Sequence, residues 1–293
     1  MLEILKAVVF GIVEGITEWL PVSSTGHIIL LNEIKWLSLK DAMSVEFYDL
    51  FEIVIQLGAI LAVIFLFFHK LNPLSQKKDS AQKKDTWALW LKVIVAVLPS
   101  AVIGLAFDEK IDAYLRGTPV LGTDMNTVVV SAALVFYGIA FLFVEKVNSK
   151  KDFRIAEVGQ VDYKTALFIG AFQCLSIIPG TSRSGATILG AILLGVSRPA
   201  GAEFSFFLAI PTMLGASALK VLIYVLDIMD GVARMPTSTE LGILSVGCAV
   251  SFIISLLVIK GLMQYVRKNS FSVFGIYRIA LGALVLLYFL LGL

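Results

Sequence analysis

Predominantly apolar windows separated by short polar stretches organise the chain, at 45–68, 87–107, 125–146, 203–226, 241–260 and 271–293. Each reaches the roughly 20 residues a helix needs to cross about 30 Å of hydrocarbon, so six transmembrane helices are predicted. Two further apolar stretches, 2–31 and 165–198, are each interrupted midway, by Leu20-Pro21-Val22-Ser23-Ser24-Thr25-Gly26 and by Ile178-Pro179-Gly180-Thr181-Ser182-Arg183-Ser184-Gly185. Lipid cannot satisfy the backbone groups such a break exposes. Each stretch is therefore expected to form a re-entrant helical hairpin whose turn is buried in protein or lines a wet cavity.

Composition agrees with the pattern. Of 293 residues, 58% are hydrophobic and 16% charged, with a mean hydropathy of +0.89, against about 25% charged in soluble domains. A soluble protein is excluded, and an all-α integral membrane protein is the predicted class. The net charge of +2 comes from Lys and Arg scattered between apolar runs, which predicts no nucleic-acid partner. Lys70, Lys77, Lys78, Lys83 and Lys84 crowd the loop 69–86, Lys150, Lys151, Arg154 and Lys164 the loop 147–164, and Arg267 and Lys268 the loop 261–270. The positive-inside rule makes these three loops cytoplasmic and both termini external. The alternate loops agree: 108–124 carries Asp108, Glu109, Asp112 and Asp124 against Lys110 and Arg116, and 227–240 has Arg234 alone among Lys and Arg. The N-terminal stretch is interrupted by Glu3, Glu14 and Glu18 and reads as mature protein rather than a signal peptide. Cys174 and Cys248 lie in apolar runs and read as small packing residues.

Residues 11–30 laid over 170–189 align Gly11 with Gly170, Ser23 with Ser182, Gly26 with Gly185, Ile29 with Ile188 and Leu30 with Leu189. Two copies of one unit are predicted within a single membrane domain, 1–146 and 165–293, each a broken hairpin (2–31 and 165–198) followed by three spans. Three crossings reverse direction, so the copies form an inverted-topology repeat and their turns can meet inside the bilayer.

The turns carry the chemistry. Glu14 and Glu18, spaced i and i+4, share one helix face. Carboxylates at membrane depth require company, and two a turn apart suit a hard divalent cation; Mg²⁺ commonly takes one or two carboxylates together with phosphate oxygens. Ser23, Ser24 and Thr25 then offer hydroxyls beside His27, the base an inert serine needs to become a nucleophile. In the second turn, Gly180, Thr181, Ser182, Arg183 and Ser184 precede an apolar helix, and a helix N-terminus with hydroxyls and a guanidinium is an anion site. The competing reading has Ser and Thr capping the helix while Arg183 pairs with Glu14 or Glu18. Together the parts imply phosphoryl transfer on a lipid-borne phosphate.

At these residues the sequence closely resembles the bacterial undecaprenyl-pyrophosphate phosphatase family, the bacitracin-resistance type. Glu14-Gly15-Ile16-Thr17-Glu18 matches its Glu/Gln-x-x-x-Glu motif, followed by Pro21-Val22-Ser23-Ser24-Thr25-Gly26-His27. Pro179-Gly180-Thr181-Ser182-Arg183-Ser184-Gly185-Ala186-Thr187 matches its second signature throughout. The resemblance implies removal of the terminal phosphate of undecaprenyl pyrophosphate, dependence on a divalent cation (Mg²⁺, with Ca²⁺ the alternative), a role in recycling the cell-wall lipid carrier, bacitracin resistance, and a site on the outer face of the cytoplasmic membrane. Carried over, the functional positions are Glu14, Glu18, Ser23, Ser24, Thr25, His27, Ser182, Arg183, Ser184 and Thr187. Within the two turns, Ser24, His27, Glu18 and Arg183 are expected to be catalytic, Glu14 and Glu18 to hold the metal, and Ser23, Thr25, Gly180, Thr181, Ser182, Ser184 and Thr187 to bind substrate. Ser24 attacking with His27 as base is the expected mechanism, with His27 itself or metal-bound water as alternative nucleophiles.

A secondary transporter or flippase of polyprenyl-phosphate lipids is the rival class, since inverted repeats with broken helices also build transporters. Acid-phosphatase-like lipid phosphatases share Ser-x-Gly-His but require a histidine downstream of a Ser-Arg pair, and none follows His69. His69 itself is expected to snorkel at a span's end. Glu52, Gln56 and Glu203 are read equally as support for the site or as seals between helices. Arg198 and Arg278 are expected near the cytoplasmic interface, pairing with Glu203 or lipid headgroups. The sequence leaves monomer or homodimer open.

Overall fold

The computed structural model describes residues 2–34, 36–117, 119–120, 123–148 and 152–291, excepting the side chains of 108–117, 119–120, 123–124 and 126. Lys150 and Lys151, part of the charge count above, lie outside the described residues, as do the side chains of Asp108, Glu109, Lys110, Asp112, Arg116 and Asp124.

The chain is almost wholly helical. The first stretch is α1 (Leu2–Thr17), a break, and α2 (Ser24–Glu33). The first span follows as α3 (Val45–Val54) and α4 (Gln56–Leu66), with a one-turn α5 (Phe68–Leu71) behind it. Then come α6 (Ser80–Gly117) and α7 (Met125–Asn148), joined through a two-residue antiparallel ladder of β1 (Pro119–Val120) and β2 (Thr123–Asp124). The second stretch is α8 (Tyr163–Gln173), a 3₁₀ turn Cys174–Ile177, a break, and α9 (Arg183–Leu193). Three long helices finish the described chain: α10 (Arg198–Met229), α11 (Ser238–Val266) and α12 (Ser272–Leu291).

Among the described residues six segments are long and apolar enough to cross a membrane: Val45–Leu66, Ser80–Phe107, Thr127–Asn148, Arg198–Met229, Ser238–Val266 and Ser272–Leu291. They agree with the six predicted windows, and both interrupted stretches are helix–break–helix. Several helices outlast their windows: α6 starts at Ser80 rather than 87, α10 at Arg198 rather than 203, and α11 runs to Val266 rather than 260; the longest extension is the tail of α6. The segment 108–117, expected as loop, continues α6 to Gly117, because charged residues end an apolar run without ending a helix.

Local chemistry fixes several starts. Asp162 caps α8 by accepting from the Thr165 amide, and its exposed carboxyl is held below the usual aspartate range by the Thr165 bonds. Ser197 caps α10 by accepting from Ala200 N, with Pro199 in the first turn, where its missing N–H costs nothing. A Thr237/Glu240 capping box opens α11.

Packing crosses between the chain's halves. Helix α1 lies along α11, α8 along α6, and α7 along α12. Gly11 and Gly170, aligned in sequence, occupy the two equivalent crossings: a Cβ on Gly11 would sit 2.7 Å from the Gly247 carbonyl oxygen, and one on Gly170 would collide with the Ala96 carbonyl. Small residues let helix backbones touch where lipid provides no hydrophobic drive. Gly170→Ala is expected to cost about 1–3 kcal/mol, the usual toll of overpacking, read as a lower midpoint of thermal unfolding in detergent; an unchanged midpoint would show that α6 and α8 can slide apart freely.

The core is aromatic. Trp19, Phe204, Phe206, Phe207 and Phe271 are fully buried in one cluster, with Trp19 edge-on to Phe206 at 5.2 Å between ring centroids. The two cysteines are free and half-buried, and each thiol donates to a main-chain carbonyl, Cys174 to Gly170 and Cys248 to Val54.

Candidate active site

The two breaks share an unusual backbone feature. Ser23 and Ser182, 159 positions apart, hold φ at +71° and +69°, and they are the two non-glycine residues with positive φ among the described residues. Each immediately precedes the helix that leaves its break, α2 or α9. Such a conformation costs a serine about 1–3 kcal/mol and persists only where surrounding contacts dictate it. The side chains differ in use: Ser182 Oγ accepts from Gly185 N and bonds Ser184 Oγ, whereas Ser23 Oγ is buried without a partner and leaves α2 without a side-chain cap.

The breaks lie against each other. Arg183, first residue of α9, donates from Nη2 to Glu18 Oε1 at 2.8 Å and from Nη1 to the Ser205 carbonyl at 3.0 Å. Its guanidinium sits 5.9 Å from the centre of the Trp19 ring. Ser184 Oγ donates toward the main-chain carbonyls of Glu18 (3.1 Å) and Leu20 (3.4 Å). The pairing of Arg183 with Glu18, weighed from sequence as the competing reading, is thus present, and it draws the two turns together.

Two cavities open around this junction. The smaller, about 250 Å³, is lined from the first break by Glu18, Ser23 and Ser24 and from the second by Gly180, Ser182, Arg183 and Ser184. The larger, about 640 Å³, carries Glu14, Asn32, Tyr48, Asp49 and Glu52 on its walls. Ser24, Thr25 and Gln56 line both, so the Ser24 hydroxyl stands where they meet. Thr181 and Thr187 are fully buried and line neither; Thr187 Oγ1 bonds Ser205 Oγ at 2.6 Å and the Arg183 carbonyl at 3.0 Å, bracing the first turn of α9.

The histidine is precisely placed. His27 Nδ1 lies 2.7 Å from the Ser23 carbonyl, which can only accept, so in the neutral ring Nδ1 carries the proton and Nε2 accepts from Tyr277 Oη at 2.6 Å. The rings of His27 and Tyr277 stack 5.6 Å apart. Ser24 and His27 share one turn of α2, but both imidazole nitrogens are engaged elsewhere.

The carboxylates suit a cation. Glu14 is 1% exposed and its Oε1 has no hydrogen-bond partner, while Glu18, one helical turn on, meets Arg183. Among the described residues no cluster of three or more His, Cys, Asp or Glu side chains stands ready to hold a metal alone. A hard divalent ion held by two carboxylates and completed by phosphate oxygens fits that donor set and the orphaned Glu14 oxygen.

Other expectations need revision. Arg278 pairs with main-chain carbonyls rather than with Glu203, and its burial leaves it out of a headgroup's reach: it is wholly enclosed by protein and donates to the carbonyls of Pro21, Gly180 and Thr181. Glu203 instead bonds Lys70 at 2.6 Å, and Arg198 grips Glu145, which also accepts from Phe271 N. Glu52 accepts from the Tyr48 hydroxyl on the wall of the larger cavity. His69 is exposed at its span's end. Sequence reasoning passed over Tyr277, Trp19 and Ser205. Arg278 carried a signal, since an arginine inside an apolar span marks a functional site by default; a tyrosine in a span carries none.

A sequence model of the family described as bacitracin resistance protein BacA matches residues 7–284. The chain is 50% identical over 291 residues to a protein named undecaprenyl-diphosphatase from Lactiplantibacillus plantarum, covering 99% of each. It is 51% identical to one of that name from Enterococcus faecalis, covering 97% of each. It is 53% identical to undecaprenyl-diphosphatase 1 of Clostridioides difficile, covering 99% of this chain and 98% of the other.

Proposed function

The chain belongs to the bacitracin resistance protein BacA family, and from that membership and the joined breaks we propose that it is an undecaprenyl-diphosphatase that removes the terminal phosphate of the lipid diphosphate. The observation that carries the reading is the meeting of Glu18 and Arg183, which puts a carboxylate of one break and the guanidinium of the other on one cavity, with Glu14 on the adjoining one. An acidic pair beside an arginine and hydroxyls is what a metal-assisted attack on a phosphoric anhydride requires.

In the proposed mechanism Arg183 exchanges Glu18 for the terminal phosphoryl group, supported by Ser182 and the free amides at the start of α2, with Ser23 Oγ and Thr25 as further donors, while Ser184 stays on the Glu18 and Leu20 carbonyls and holds the two breaks together. Gly180 and Thr181 shape the turn behind them, and Thr187 holds its helix. Glu14 and Glu18 would hold a divalent cation, Mg²⁺ by its preference for carboxylate and phosphate oxygens; when bound it neutralises charge on the diphosphate. Ser24 Oγ forms a bond to the terminal phosphorus while the bond to the bridging oxygen breaks, and the lipid monophosphate leaves with that electron pair. His27 takes the serine proton at Nε2, which requires the Tyr277 hydroxyl to swing aside or to relay it. Water then cleaves the phosphoserine, releasing inorganic phosphate and restoring Ser24.

The proposal includes the architecture: two inverted copies, 1–146 and 165–293, in the bacterial cytoplasmic membrane, with the termini and the site on the outer side. The reciprocal packing of each hairpin on the other half's middle span and the matched Ser23 and Ser182 backbones support it, as does the lysine-rich loop 69–86.

The test is release of inorganic phosphate from undecaprenyl or farnesyl diphosphate in detergent. Chelation is expected to reduce the rate at least about 100-fold, and added Mg²⁺ to restore it. No release from either lipid would defeat the reading, and a chelated enzyme at the parent's rate would remove the metal from it.

A further inference from the structure

A guanidinium wholly buried in an apolar span is costly, and among the described residues no carboxylate is found against Arg278. Its partners are main-chain carbonyls: Nη1 donates to Pro21 O at 3.1 Å, and Nη2 to Gly180 O at 2.8 Å and Thr181 O at 2.9 Å. Carbonyls inside a regular helix are occupied by the helix's own bonds; the two breaks leave theirs spare. One planar fork therefore holds both breaks at once, which the single ammonium of a lysine could not reproduce. Tyr137 lies under it, 5.6 Å from ring centre to Cζ.

We infer that Arg278 is a positioning residue that welds the two breaks into one site and presents the Ser182 amide to the diphosphate headgroup. The inference rests on the diphosphatase reading for the identity of that group. A trans peptide points its C=O and N–H in opposite directions, so drawing the Thr181 carbonyl toward α12 turns the Ser182 N–H away from it. That N–H has no backbone acceptor among the described residues, Ser182 lines the smaller cavity, and its positive φ is the conformation this arrangement imposes. Gly185 belongs to the same device: a Cβ there would come within 3.1 Å of Arg278 Nη1.

Arg278→Lys keeps the charge and loses the fork. It is expected to lower kcat at least about 100-fold with KM for the lipid diphosphate within about threefold, the split that marks a loss confined to the transition state. Hydrogen exchange gives a readout free of turnover: amides in 18–25 and 178–185 should lose protection together, while those of α11 keep theirs. Gly185→Ala should lower kcat about tenfold and add nothing in the Arg278→Lys background, since coupled sites are non-additive. Turnover of Arg278→Lys within about threefold of the parent, unchanged protection in the two breaks, or losses that multiply overturns the inference. If Arg278→Lys does not fold, Gly185→Ala decides alone, and normal turnover with normal protection overturns it. A parent protein that releases no phosphate defeats the functional reading instead, and the exchange comparison still judges Arg278.

Discussion

Arg183→Ala is expected to lower phosphate release by about 10³-fold or more. Guanidinium groups aimed at a transferring phosphoryl group contribute about 10³–10⁵ in rate, and Arg183 is the cation that reaches the smaller cavity from the second break. Removing it also strands Glu18, whose side chain is 9% exposed; a buried charge that loses its partner costs about 3–5 kcal/mol. Stability and catalysis must therefore be separated. Arg183→Lys retains a charge near Glu18 and forfeits two-pronged contact with phosphate, so it should fold nearly as well as the parent and still lose about 100-fold in turnover. Both variants are read by phosphate release per folded molecule, with folding followed by size-exclusion profile and thermal midpoint. Arg183→Ala working within about tenfold of the parent would exclude this role, because a transition-state contact to an arginine is worth more than that.

Ser24→Ala is the second large effect, expected at about 10³-fold or more, with lipid diphosphate still bound. Ser24 is the first residue of α2 and faces both cavities, so its hydroxyl can meet a headgroup held by Arg183 and be followed by water arriving from the wider space. Rapid quenching with terminally labelled substrate should trap label on Ser24 in the parent and none in the variant. A fully active Ser24→Ala enzyme would pass the attack to His27 or to water, and label recovered on His27 would identify it as the nucleophile. Label on Ser24 is the expected result, because Ser24 lines both cavities and His27 lines neither.

The spans were legible because lipid demands long apolar runs, and the breaks because Pro21, Pro179 and the Ser and Gly residues beside them cannot continue a helix. The contact between breaks was legible too, from the aligned Gly11 and Gly170, Ser23 and Ser182. What stayed hidden were bonds without a side-chain code. Arg278 satisfies itself on carbonyls, which every residue possesses, so no residue type announces its partners; distance along the span suggested the interface instead. The second turn's hydroxyls look alike in sequence as phosphate donors, yet Ser184 and Thr187 spend theirs joining Glu18, Leu20 and Ser205. The tail of α6 was missed because hydropathy measures where lipid ends, and the helix outlasts it to Gly117.

The distribution of charge between the breaks has a consequence for biogenesis. Acidic groups come from the first half and the guanidinium groups from the second, the later of them on α12, the last described helix in chain order. A nascent chain threaded as far as α7 carries Glu14 and Glu18 before Arg183, the arginine that receives Glu18, has been made. Glu18 meets its partner only once synthesis has reached the start of α9, so the joined breaks are assembled after the first half is already made and a chain stopped short of α9 holds only half of the site.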